Sequence, residues 1–174
     1  GVRHVERVRT LVATEQPDVV CLQEANHLHR QLLEETGYIT TFLPTIISNR
    51  HEEHLPEGCL LASRVMHEAS TFYYYRPEPT LQVEVMARKD ETSAHGVIMA
   101  TLPFADTEFR IATTHVMVTA NGRPDELQRT GIESLLQAMT TQPPHLLCGD
   151  FNMPRGVNEL YERVTRHYTD AIPS

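Results

Sequence analysis

The chain has 174 residues, a formal net charge of −8 and 40% hydrophobic side chains. That length fits one domain with a sizeable core, and the acidic balance argues against a broad basic face gripping nucleic-acid backbone. Cys21, Cys59 and Cys148 sit in apolar runs with no Cys-x-x-Cys, and no apolar run approaches the ~20 residues of a membrane helix; the expectation is a cytoplasmic protein with reduced core thiols and no transmembrane segment.

Val2, Val5, Val8, Leu11 and Val12 recur at helical spacing, and Pro17 ends that helix. Val19 to Leu22 is a short apolar strand delivering Gln23 and Glu24 at its end. His27 to Thr36 reads as a helix closed by Gly37. Tyr38 to Leu43 is strand-like, Ser48 to Glu57 a polar loop, and Gly58 to Ala62 a strand followed by Ser63 and Arg64. Ala69 to Tyr75, Leu81 to Arg88, Gly96 to Leu102 and Glu108 to Val116 are further strands separated by polar turns. A helix spans Asp125 to Thr140, with Leu127, Ile132, Leu135, Leu136 and Met139 on one face. After Pro143 and Pro144 comes HLLCGDFN (His145 to Asn152), read as a buried strand that stops at Gly149 and presents Asp150 and Asn152 at its tip. Gly149 admits a close approach that a Cβ would block. Asn158 to His167 is the last helix. This alternation argues α/β or α+β rather than a helix bundle.

Three strand ends carry polar groups without a local structural need: Glu24, Thr114-His115 and Asp150-Asn152. A hard divalent ion takes one or two carboxylates plus waters and substrate phosphate, which suits Glu24. Asp150 can orient or deprotonate a water, and His115 and Asn152 can stabilise charge on a phosphoryl oxygen. Singly, each has a plain reading: a helix N-terminal charge, a hydrogen-bonded core histidine, a Gly-Asp turn. Their joint occurrence at the ends of apolar strands favours a site.

PDVVCLQE (Pro17 to Glu24), GCLLASR (Gly58 to Arg64), ATTHV (Ala112 to Val116) and HLLCGDFN, in that order, resemble the endonuclease/exonuclease/phosphatase superfamily with its DNase I-like fold. The resemblance implies a four-layer sandwich of two mixed β-sheets flanked by helices. It also implies a phosphohydrolase dependent on Mg²⁺ or Mn²⁺, with Glu24 as metal ligand, Asp150 activating the attacking water, Asn152 meeting the scissile phosphate and His115 contacting it. Asn121, in the turn after His115, and Arg64, after GCLLAS, are weaker substrate-binding candidates. The superfamily pattern further has an Asn on a preceding strand and a closing Ser-Asp-His motif, neither of which is in this sequence. Gln128 of its Arg-x-x-Gln element is kept, whereas Asp125 stands in the Arg position. The reading is therefore one domain over residues 1–174, truncated at both ends, lacking terminal strands and open to homodimer formation through the exposed sheet edges.

The substrate expected first is nucleic acid, cleaved as a phosphodiester. The acidic charge raises a small phosphorylated or lipid compound as the second reading, and a binding-only relative or inactive fragment is the third. His51, Glu52, Glu53 and His54 read as a solvated loop at the cleft rim. Tyr73, Tyr74 and Tyr75 read as a strand whose alternation turns at least one ring outward, with base stacking as the functional alternative.

Overall fold

The computed structural model describes residues 2–49, 54–76, 81–83 and 92–172. Its elements are α1 (Val2–Glu15), β1 (Val19–Ala25), α2 (His27–Glu35), β2 (Ile39–Ile47), β3 (Pro56–Ser63), β4 (Glu68–Tyr75), β5 (His95–Phe104), β6 (Thr107–His115), α3 (Glu126–Thr140), β7 (Leu146–Asp150) and α4 (Glu159–Thr165). Two sheets form, ordered β1-β3-β2 and β4-β5-β6-β7. The first is antiparallel among its described strands, and the second is mixed because β7 lies parallel to β6.

Three apolar clusters separate four layers. Val12, Leu33, Leu60 and Ala62 fill the space between α1, α2 and the first sheet. Cys59, Leu61, Ile98, Ala100 and Ile111 pack between the sheets. Val97, Met99, Ile132, Leu135 and Leu136 lie between the second sheet and α3. Successive strand residues point to opposite faces, so β3 and β5 serve two clusters each, and that is why both read as continuous apolar runs. Gln23 ties the layers together, its side-chain amide donating to Thr113 Oγ1 across the two sheets at 3.0 Å.

Several expectations change. Leu11 is 60% exposed rather than part of the α1 stripe. Among the described strands, HLLCGDFN lies at the edge of its sheet and not buried within it, with Leu146 46% exposed. The three tyrosines are all half-buried, because both faces of their sheet are covered. Tyr73 packs toward the inter-sheet core and donates to the Pro44 carbonyl at 2.6 Å. Tyr74 packs on the α3 side, and the Tyr75 ring lies 6.1 Å from that of His95. Of the strand expected from Leu81 to Arg88, Val83 bridges Ile47 in parallel, and residues 84–88 lie outside the described residues. So do His51, Glu52 and Glu53 of the polar loop.

Candidate active site

One pole of the sandwich gathers the chemistry. β6 and β7 run parallel, so both finish at the same end, and their register sets His115 beside Asp150. β1 arrives there too, with Ala25 opposite Gly58 at the start of β3. A cleft of about 260 Å³ opens at this pole, lined by Glu24, Glu57, His95, His115, Asp150 and Asn152 together with Thr45, Ser93 and neighbouring backbone.

Glu24 occupies a bulge between Leu22 and Ala25, with φ +53°. A left-handed backbone costs an L-residue other than Gly or Asn roughly 1–2 kcal/mol. The bulge turns the carboxylate into the cleft instead of continuing the strand alternation. It is not the cap of α2. Asn26 takes that role, accepting from the Leu28 amide at 3.1 Å.

Asp150 and Asn152 are bound to each other and to β6. The Asn152 amide donates to Asp150 Oδ1 at 2.9 Å, and the Val116 amide donates to the Asp150 carbonyl at 2.9 Å. Asp150 Oδ2 is thereby left facing His115 Nε2 at 4.0 Å. Asn152 also has a left-handed backbone, φ +51°, which asparagine tolerates well. Its side-chain Nδ2 donates to the Val116 carbonyl at 2.8 Å and lies 3.2 Å from His115 Nε2. An amide nitrogen can only donate, so His115 Nε2 stands as the acceptor of this contact. Phe151, between Asp150 and Asn152, turns into the α3-side cluster.

Two groups of the cleft wall were not singled out from the sequence. Glu57 is 4% exposed at the start of β3. His95, 8% exposed, donates from Nδ1 to the His115 carbonyl at 2.7 Å and so fixes the strand end that carries His115. Glu57 falls in a polar stretch that reads as a loop, and His95 follows a polar turn. Strand pairing brings Glu57 to Glu24, and the stacking of the two sheets brings His95.

A buried amide network supports Asn152 from behind. Gln128, fully buried, donates to the Met117 carbonyl at 2.9 Å and the Asn152 carbonyl at 3.2 Å. Asn158 donates to Gln128 Oε1 at 2.9 Å and to the Gly122 carbonyl at 3.0 Å. Replacing Gln128 by Met keeps the volume and strips these carbonyls of their donor. Each buried group left unpaired costs ~1–3 kcal/mol, so Gln128→Met is expected to lower the urea-unfolding free energy by about 3 kcal/mol. A loss under about 0.5 kcal/mol would mean that the network is incidental.

The structure does not bring the two weaker candidates to the cleft. Arg64 follows β3 at its far end, and β3 runs antiparallel to β1. At ~3.3 Å per residue, the strand places it about 20 Å from Gly58. There its guanidinium lies over the Tyr38 ring at 5.5 Å and donates to the Tyr38 hydroxyl at 3.2 Å. Asn121 is exposed in a short 3₁₀ turn, with φ +56°, and is absent from the cleft wall.

The fold and this strand-end constellation define a class, and sequence comparison agrees. The profile of the Endonuclease/Exonuclease/phosphatase family matches residues 2–168, and the chain belongs to that family. No curated protein matches it by sequence. Among solved structures, the human Nocturnin catalytic domain with a bound sulfate anion aligns with a TM-score of 0.69 at 24% identity, over 95% of this chain and 62% of that one. ANGEL2, a 2′,3′-cyclic phosphatase solved with adenosine-2′,3′-vanadate, aligns with a TM-score of 0.67 at 20% identity, over 92% and 47%. D. rerio TDP2 complexed with single-strand DNA product aligns with a TM-score of 0.59 at 16% identity, over 86% and 54%. The likeness at these identities is one of fold, and the chain spans less than two thirds of each.

Proposed function

We propose that the cleft hydrolyses phosphoesters with a divalent cation, Mg²⁺ or Mn²⁺, and that its substrate is a phosphodiester of the nucleic-acid type. The observation that carries this reading is the β6–β7 register. It sets Asp150 Oδ2 4.0 Å and Asn152 Nδ2 3.2 Å from one nitrogen of His115, on a wall shared with Glu24. The oxygen donors fit a hard cation, with Glu24 as the holding carboxylate. Among the described residues no group of three or more His, Cys, Asp or Glu is placed to hold a metal. A hard divalent ion can be bound by one or two carboxylates and completed by water and substrate phosphate. When bound, such an ion neutralises charge that develops on the phosphoryl group.

The protein's own groups divide the remaining work. Asp150 has one oxygen engaged by the Asn152 amide, which orients the carboxylate and leaves Oδ2 to align a water and take its proton. Asn152 Nδ2 holds the Val116 carbonyl with its shorter bond and His115 with its longer one. The longer bond is the one a phosphoryl oxygen can take over. His95 keeps the His115 backbone in place while this exchange occurs. Donors already positioned before charge develops give the largest stabilisation.

A specific observation favours a second reading, a small phosphoester. Among the described residues, the cleft wall carries Glu24, Glu57 and Asp150 but no Lys or Arg, whereas binding along a nucleic-acid backbone draws on several basic contacts. Calorimetric titration tests the site first. Glu24→Gln is expected to weaken Mg²⁺ or Mn²⁺ binding about 10-fold or more, and unchanged affinity would sink the metal-dependent proposal. Single-stranded DNA, RNA and a panel of small phosphoesters then separate the substrates, and turnover of the small esters alone would overturn the nucleic-acid assignment.

A further inference from the structure

Glu24 and His115 sit on β1 and β6, which belong to different sheets. Their separation across the cleft is therefore set by how one sheet lies on the other. Much of that contact is apolar: Cys59 and Leu61 of the first sheet pack with Ile98, Ala100 and Ile111 of the second. Apolar burial is non-directional, so it holds two sheets together without fixing their slide or tilt. A hydrogen bond fixes both, because it weakens steeply away from a narrow range of distance and angle.

The side chains that face each other between the sheets change character just short of the cleft. On β1 the row runs Val19, Cys21 and then Gln23, and on β6 it runs Ile111 and then Thr113. Gln23 Nε2 donates to Thr113 Oγ1 at 3.0 Å, with Gln23 half-buried and Thr113 fully buried. Gln23 immediately precedes Glu24, where the backbone turns to φ +53°, and Thr113 lies two residues before His115. Two further bonds join the sheets, from the Tyr73 hydroxyl to the Pro44 carbonyl at 2.6 Å and from the Ala94 amide to the Thr45 carbonyl at 2.9 Å. Both anchor β2 rather than the strands of Glu24 and His115.

We propose that Gln23 and Thr113 are positioning residues, and that their bond is a clamp setting the distance from the Glu24 carboxylate to His115, Asp150 and Asn152. Neither lines the cleft; each acts through a neighbour. Gln23 pins β1 on one side of the bulge, and Ala25, paired with Gly58, pins it on the other. The Glu24 carboxylate thus leaves the strand between two fixed points. Thr113 pairs with Cys148 in the β6–β7 ladder, two steps before His115 pairs with Asp150, so the clamp grips the ladder that carries both. The proposal rests on the reading of Glu24 as the carboxylate that holds the divalent cation.

Mn²⁺ supplies a readout apart from turnover, since the paramagnetic ion broadens proton resonances near it and the effect falls steeply with distance. In the native protein, Mn²⁺ is expected to broaden the His115 ring signals. At matched Mn²⁺ occupancy that broadening is expected to weaken in Thr113→Val and in Gln23→Met, which cut the bond from opposite ends, and to return in Thr113→Ser, which keeps the acceptor oxygen. Tyr73→Phe, which removes a bond between the sheets away from β1 and β6, is expected to leave it unchanged. Turnover of the best ester should fall in step, by about 10- to 10²-fold, the scale of a misplacement of about 1 Å between reacting groups. Native broadening that persists in full in Thr113→Val and Gln23→Met overturns the clamp while leaving the metal reading standing. An equal loss in Tyr73→Phe also overturns it, since any loosening of the sheets would then suffice. A native protein in which Mn²⁺ leaves His115 sharp overturns the metal reading and the clamp together.

Discussion

Asp150→Asn is expected to reduce phosphoester turnover by about 10²- to 10⁴-fold, the range for loss of a positioned general base. The substitution isolates the chemical role. Asn keeps a side-chain oxygen that can accept from the Asn152 amide, a bond of 2.9 Å in the native protein, and the backbone bond from Val116 is untouched. Asp150 is also exposed, with its side chain 54% accessible, so its exchange for an isosteric amide leaves the core intact. Stability is expected to stay within about 0.5 kcal/mol. The measurement is kcat on the best ester from the substrate panel, beside a thermal melt. A fall below 10-fold with an unchanged melt would remove Asp150 from the proton-transfer role. A loss of activity that tracks a loss of stability would make its role structural.

Gly149→Ala carries the largest expected effect on stability. Gly149 pairs with Thr114 in the β6–β7 ladder and has φ +142°. A Cβ built there would sit 2.0 Å from the Thr114 carbonyl oxygen and 2.9 Å from its carbon. No rotamer change relieves a collision between two backbones, so the strands must separate. The expected cost is on the order of 4 kcal/mol, a drop in Tm of about 8–16 °C for a chain of this size. Because this pair of strands holds His115 against Asp150, activity should fall further than the melt alone explains. Gly37→Ala is the control. It has φ +89° and nothing within 4 Å of the added carbon, so it should cost only about 1 kcal/mol, the conformational price alone. Equal losses at the two positions would show that the close approach at Gly149 does not matter.

The two glycines mark the boundary between what sequence pattern conveys and what packing decides. Apolar runs ending in polar groups identified β1, β6 and β7 and named Glu24, His115, Asp150 and Asn152 as one constellation. The 3.6-residue spacing of Ile132, Leu135, Leu136 and Met139 likewise located α3. These features are local: a strand that packs its side chains against a core is apolar, and whatever it presents at its end is written in the next two residues.

Arg64 shows where local reading fails. Its strand end looks like those of Glu24 and Asp150, but strand direction is a property of the sheet. An antiparallel β3 sends Arg64 to the opposite pole, onto Tyr38. The same reversal brings Glu57, at the beginning of that strand, into the cleft.

The sequence by itself determined the class of fold and the residue types available for chemistry, because burial periodicity and motif order are carried along the chain. Tertiary structure decided which strand ends meet, that Glu24 enters the cleft through a bulge, and that His95, Gln128 and Asn158 brace the site. The physical reason is that strand pairing and sheet stacking join residues far apart in the chain, and no local preference encodes that register.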